Sequence, residues 1–258
     1  MRARTLLVGL LAASATVLGG VLPATASAAP APADEATPFI VGGHNATETY
    51  SFMVSLQRGG RHFCGGSLVK SDWVVTARHC VQGASPGSIQ ARIGTTTRSS
   101  GGELAGVRRI VPGSGDIALL QLNKQVSKTP IKLAAESGPV GTKTRIIGWG
   151  QKCANRGCGG APEILQELDT SIVSDAGCRG GRINGRTEIC TDNPDNWRGA
   201  CYGDSGGPQI KAVNGKWELI GATSRSGNGH PRCGTGPSIY VDVPVFRSWI
   251  QNYTGPLA

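Results

Sequence analysis

This sequence predicts an all-β fold, and three observations carry the prediction. The 258 residues include 39 glycines and 15 prolines, which interrupt helices and build turns. Runs with helical periodicity are sparse. Between the turns lie short stretches that alternate apolar and polar residues, the two-residue period of a half-buried strand. A hydrophobic content of 39% against 17% charged residues is that of a globular chain able to bury a core. The net charge is +9, but the basic residues are spread along the chain without a dense Lys/Arg run interleaved with aromatics. A cationic surface is expected, not a nucleic-acid site.

Residues 1–28 open with Arg2 and Arg4, continue through the apolar run Leu6 to Leu22 and reach Ala26-Ser27-Ala28, the layout of a cleaved export signal. Gly9, Gly19, Gly20 and Pro23 interrupt the run and no second apolar segment follows, so no membrane association is expected. Residues 29–39 form an Ala/Pro/acid segment too poor in apolar residues to fold alone and are expected to be a removable propeptide. Eight cysteines in an exported chain suit four disulfides. Zinc would need facing close-set pairs, and the one close pair, Cys153 and Cys158, has no second pair to match it.

Tyr50–Arg58 and His62–Lys70 alternate as strands, followed by Trp73-Val74-Val75-Thr76-Ala77 and then Arg78-His79-Cys80. Further on, Ile89–Ile93 and Val107–Val111 are apolar patches in a Gly/Ser/Arg background, and Asp116 stands at the mouth of the apolar run Ile117–Leu122. Near the C-terminus, Gly203-Asp204-Ser205-Gly206-Gly207-Pro208 sets a serine among glycines, where backbone N–H groups can crowd a reacting atom. A serine hydroxyl is a poor nucleophile unless a base lies within reach and a third group holds that base in the right tautomer.

Taken with Ile40-Val41-Gly42-Gly43 and Cys64-Gly65-Gly66-Ser67-Leu68, these motifs resemble the chymotrypsin-like (trypsin-like) serine proteases, of a secreted bacterial type, from Ile40 nearly to the C-terminus. The resemblance implies two six-stranded antiparallel β-barrels with a short C-terminal helix and a cleft between them. It divides the peptidase domain, 40–258, into barrels at about 40–135 and 136–258, joined by the polar crossing Lys124–Val140. Implied catalytic residues are His79, Asp116 and Ser205, with Gly203 and Ser205 donating to the oxyanion. After cleavage before Ile40, the new α-amino group would insert beside Asp204. Disulfides Cys64–Cys80, Cys178–Cys190 and Cys201–Cys233 are implied as well. Arg78 departs from the small residue usual before the histidine.

In the second half, Arg145–Gly150 resembles the start of the second barrel, Leu165–Val173 is strand-like, and Cys153 and Cys158 enclose a locally bridged loop. Pro244–Tyr253 places Val245, Trp249 and Ile250 on one helical face.

The resemblance also places the specificity pocket at Gly199, Ala200, Tyr202, Ser224, Arg225, Ser226 and Ser238. An uncharged base at Gly199 and Ala200 does not offset the desolvation of a substrate cation, and Arg225 and the serines, where the family usually has an aromatic residue and glycine, narrow the pocket, so an apolar residue of small to medium size is expected before the cut. Asp192 and Asp195 lie in the adjoining loop; the ordinary place for such residues is solvent, although a different loop path would turn one inward. Phe39-Ile40 is consistent with self-cleavage or with a second protease. Some members of the family it resembles bind calcium through paired acids in this region, whereas Glu103 is the one carboxylate between Asp72 and Asp116, so no calcium site is expected, nor any other metal or cofactor. Partners are protein or peptide substrates and protein inhibitors, and a monomer is expected. Two other readings use the same residues: a cationic binding protein without turnover, and an esterase acting on other acyl substrates.

Overall fold

Strand follows strand through residues 40–257, the part of the chain described by the computed structural model. The expected signal and propeptide segments, 1–28 and 29–39, lie outside the described residues. The first elements are β1 (His44–Asn45), β2 (Met53–Arg58), β3 (Arg61–Lys70) and β4 (Trp73–Thr76), followed by a one-turn helix α1 (Arg78–Val81). Then come β5 (Gln90–Ile93), β6 (Glu103–Pro112) and β7 (Ala118–Leu122). Six of these close a barrel in the order β2-β3-β4-β7-β6-β5. Met53, Val54, Leu56, Leu68, Val74, Ile93, Leu119 and Leu120 are all fully buried in it. Several of its strands are buried along nearly their whole length, as expected where both faces of a strand are covered.

The second half contains β8 (Lys132–Leu133), β9 (Lys143–Gly148), β10 (Gln166–Ser171), β11 (Glu188–Thr191), β12 (Pro208–Val213), β13 (Lys216–Ser226) and β14 (Ser238–Asp242). They form a sheet in the order β1-β10-β9-β12-β13-β14-β11, with β8 pairing in parallel to β13. The six long strands match the second six-stranded set, and β1 and β8 extend it. Its ends meet at one bridge, Ile172 with Thr191, where Val173 N–H donates to Cys190 O and Asp192 N–H to Ser171 O. Ile40, Ile146, Leu168, Ile189, Ile220 and Tyr240 pack inside.

Two details differ from the sequence expectation. The crossing is not simply polar, because Val126, Ile131, Leu133 and Ala134 are buried and Ile131 N–H donates to Leu68 O while Ala134 N–H donates to Leu219 O. The crossing therefore bonds to both sheets. At the C-terminus, α2 (Arg247–Thr254) follows a 3₁₀ turn at Val243–Phe246. Val245 is 53% exposed while Ile250 is fully buried. The tighter turn changes the helical phase, so Val243, Phe246 and Ile250 form the packed face instead.

Candidate active site

Strand register brings the first two residues together. β4 and β7 are antiparallel with Thr76 opposite Ala118, which sets residue 78 opposite residue 116. Arg78 N–H donates to Asp116 O at 3.2 Å. One residue on, His79 N–H donates to Asp116 Oδ1 at 2.9 Å, and His79 Nδ1 lies 2.8 Å from Asp116 Oδ2. The Cys64–Cys80 disulfide ties α1 to β3. The Arg78 side chain is exposed and its Nη1 reaches Gly113 O at 3.4 Å, away from the imidazole partner.

Ser224 completes the aspartate's surroundings. It is the extra residue of a β-bulge, since Thr223 pairs with Tyr240 and Arg225 with the adjacent Ile239. Bulges re-aim side chains. Here the Ser224 hydroxyl donates to Asp116 Oδ2 at 2.6 Å. Burial opposes ionisation of Asp116, but the hydrogen bonds from His79 and Ser224 and the imidazole charge outweigh it, and the carboxyl is held below its usual range.

Ser205 is held from both sheets. Gly65 N–H of β3 donates to Ser205 O at 2.8 Å, and Gly206 N–H donates to Thr223 O at 2.8 Å. The Ser205 hydroxyl makes no hydrogen bond among the described residues, and His79 Nε2 is 3.9 Å from Cys80 Sγ. Both side chains line one cleft of about 730 Å³. Gly203 has φ +101°, and a Cβ there would stand 3.2 Å from Gly150 Cα. Only glycine adopts this turn without strain.

Asp204 is 2% exposed and accepts from Gly150 N–H and Cys201 N–H, each at 2.8 Å. Burial, against these two donors, pushes its carboxyl up to about 7. Ile40 is 1% exposed in the second core. No ion pair joins it to Asp204 among the described residues.

Of the expected pocket residues, Ala200, Tyr202, Ser224, Arg225, Ser226 and Ser238 line the cleft. Gly199, with no side chain, is buried beside them: its N–H donates to Val41 O at 2.9 Å, and a Cβ there would meet only Ser238 Oγ, at 3.9 Å. Asp195 pairs with Arg198 at 3.3 Å, and Asp192 lines a different cavity with Lys143 and Arg145. No carboxylate lines the cleft. The remaining disulfides are Cys153–Cys158, Cys178–Cys190 and Cys201–Cys233. One trio of metal-capable side chains, Cys64, His79 and Cys80, stands together among the described residues, but its sulfurs are bonded to each other and supply no thiolate.

Two neighbours of the site escaped the sequence reading. Glu188 accepts from Arg225 Nη1 at 2.7 Å and Nη2 at 2.9 Å, while Arg225 Nη1 also reaches Ser224 Oγ at 3.1 Å. These residues are 37 apart in sequence and meet because β14 lies between their strands, which no local pattern reveals. His62 lies 2.9 Å from Gly203 O through Nε2 and 2.8 Å from Ser55 Oγ through Nδ1. Burial drives its imidazole down to about 4. The only sequence signal was its place in β3, two residues before Cys64.

Two packed β-structures with a carboxylate-held histidine and a glycine-flanked serine lining one cleft define the class, a serine endopeptidase. The sequence pattern of the family described as Trypsin matches residues 40–250. The chain is 36% identical over 230 residues to a trypsin of Sarcophaga bullata, covering 83% of this chain and 88% of that protein. It is 36% identical over 234 residues to trypsin theta of Drosophila melanogaster, covering 83% and 85%. It is 33% identical over 258 residues to the neutrophil elastase of Mus musculus, covering 93% and 90%. The chain belongs to the trypsin family of serine proteases, which hydrolyse peptide bonds in protein or peptide substrates. The expected bacterial type finds no support, since these relatives come from insects and a mammal. Among the described residues no helix is long and apolar enough to cross a membrane.

Proposed function

We propose that the chain is a secreted, monomeric endopeptidase made as an inactive precursor, exported by residues 1–28 and activated by loss of residues 29–39. The observation that carries the catalytic reading is the clamp of His79 by Asp116 through both its backbone N–H and its Nδ1. With Nδ1–H donated to the carboxylate, Nε2 is the free base. It takes the Ser205 proton as Oγ bonds to the substrate carbonyl carbon, and the imidazolium then protonates the leaving amine. Water repeats the sequence on the acyl-enzyme. The N–H groups of Gly203 and Ser205 donate to the developing oxyanion. In the mature enzyme the Ile40 amine neutralises Asp204. No cofactor enters these steps.

A pocket lined by Ala200, Ser226 and Ser238 without a carboxylate suits an uncharged side chain of small to medium size before the cut, because a buried substrate cation would have no partner. Protein inhibitors that present such a residue are expected to compete for the same cleft. A peptide library should show this preference; dominant cleavage after Arg or Lys would refute it.

An active-site-directed phosphonate should label the mature protein stoichiometrically at Ser205 and fail to label Ser205→Ala. Absence of labelling in a correctly processed sample would rule out the catalytic reading. Gly203→Ala keeps the backbone N–H but strains the φ +101° turn that aims it, and misdirecting that one oxyanion donor, worth about 3 kcal/mol, should lower kcat about 100-fold. The positive φ adds a stability loss of about 1 to 2 kcal/mol. Thermal melts and kcat measured together check both, and unchanged kcat would remove Gly203 from the oxyanion site.

A further inference from the structure

Two arginines line the cleft, Arg225 and Arg156, and they differ in what they are bonded to. Arg225 spends its guanidinium on Glu188, on two backbone carbonyls and on Ser224. Arg156 has no carboxylate within ion-pair distance among the described residues. Its guanidinium lies over the Tyr202 ring, 5.3 Å from the centroid, and its side chain is exposed.

The loop beneath Arg156 is built to hold it. Cys153–Cys158 closes a small ring, and the Gln151 side chain fills it. Gln151 Nε2 donates to Cys153 O at 3.0 Å and to Asn155 O at 2.6 Å, while Oε1 accepts from Gly157 N–H at 3.0 Å. The ring is bonded to the pocket walls as well: Cys233 N–H donates to Ala154 O at 2.9 Å and Gln151 N–H to Tyr202 O at 2.8 Å. A loop already ordered loses little freedom when it binds.

We propose that Arg156 is a specificity-determining residue that draws the carboxylate of an Asp or Glu in the substrate into the cleft near the bond to be cut. This rests on the endopeptidase reading. A guanidinium held over an aromatic face by cation–π attraction spends none of its N–H donors on a carboxylate, and its fork matches a substrate carboxylate in two parallel hydrogen bonds. No acidic side chain of the cleft competes for it. The chain's net charge of +9 adds a field of the same sign. Because the site is exposed, the preference is modest, about fivefold, and salt screens it.

The test is a set of paired peptides carrying Glu or Gln at each position flanking the cut. For the mature enzyme, one position should show a Glu/Gln ratio in kcat/KM of about fivefold at low salt, shrinking at high salt. The ratio should fall to about one in Arg156→Gln, survive in part in Arg156→Lys and invert in Arg156→Glu. Each ratio is taken within one variant, so differences in folded fraction cancel. Binding of the Glu peptide and its Gln twin to Ser205→Ala, with and without Arg156→Gln, reads the same preference without turnover. Failure of hydrolysis is thereby separated from failure of the subsite. Equal Glu/Gln ratios in the parent and in Arg156→Gln at every position, in turnover and in binding, would overturn the proposal.

Discussion

Asp116→Asn is expected to lower kcat/KM about 10⁴-fold at neutral pH, with the fold intact. The magnitude is that of such triads in general; the direction follows from the bonds seen here. Both carboxylate oxygens of Asp116 are acceptors. Oδ1 takes the His79 backbone N–H, and Oδ2 faces His79 Nδ1 and takes the Ser224 hydroxyl. An asparagine has one acceptor oxygen and one NH₂ group. If the oxygen stays with the backbone N–H, the NH₂ faces Nδ1 and selects the imidazole tautomer whose proton is on Nε2. That tautomer cannot accept the Ser205 proton. Steady-state kinetics on mature protein, with melts to establish folding, check this. A loss of less than tenfold would mean that Asp116 does not set the tautomer.

The chain with Phe39–Ile40 intact is expected to be about 10²- to 10³-fold less active than the cleaved form. Without a free amine, Asp204 is a buried carboxyl supplied by two amide donors and no cation. An uncompensated buried charge costs about 3 to 5 kcal/mol, and Asp204 is covalently joined to both oxyanion residues. Full activity in protein whose N-terminal sequencing shows an uncut junction would sink the activation scheme.

The same carboxyl sets a pH dependence in the uncut chain. With its folded pKa raised to about 7, it keeps a proton that the unfolded chain releases near pH 4. Its stabilising contribution is therefore present below about pH 4 and lost as pH rises to about 7, at about 1.4 kcal/mol per unit. His62 runs the other way. Its folded pKa of about 4 means that its contribution is present above about pH 6.5 and lost as pH falls to about 4. The two slopes oppose each other in the shared window. In Asp204→Asn the falling slope is removed, so the melting temperature should rise more steeply with pH between about 4 and 7 than in the uncut parent. Parallel curves for the two proteins would show that Asp204 does not titrate there.

Most strands were legible because their local pattern, alternating or continuously apolar, marks a half-buried or a fully buried strand. Trp73–Thr76 and the run after Asp116 needed nothing beyond their own residues. The β12–β13 hairpin was equally legible but passed over: Asn214-Gly215 takes φ +51° and +74°, the two-residue turn that joins twisted antiparallel strands. Val245 was misread because a helical phase continued backward across a 3₁₀ turn fails.

From its own order of residues the sequence determined the all-β class, the even cysteine set and the glycine-flanked serine, and likeness to a family supplied the candidate triad. These are properties of residue type and near spacing. Tertiary structure alone decided that β4 and β7 set Asp116 against His79, that a bulge turns Ser224 onto the same carboxylate, and that Glu188 engages Arg225 while Arg156 stays uncommitted. Those pairings join residues tens of positions apart. They depend on sheet register and on one-residue irregularities within it, and neither leaves a periodic trace in the chain.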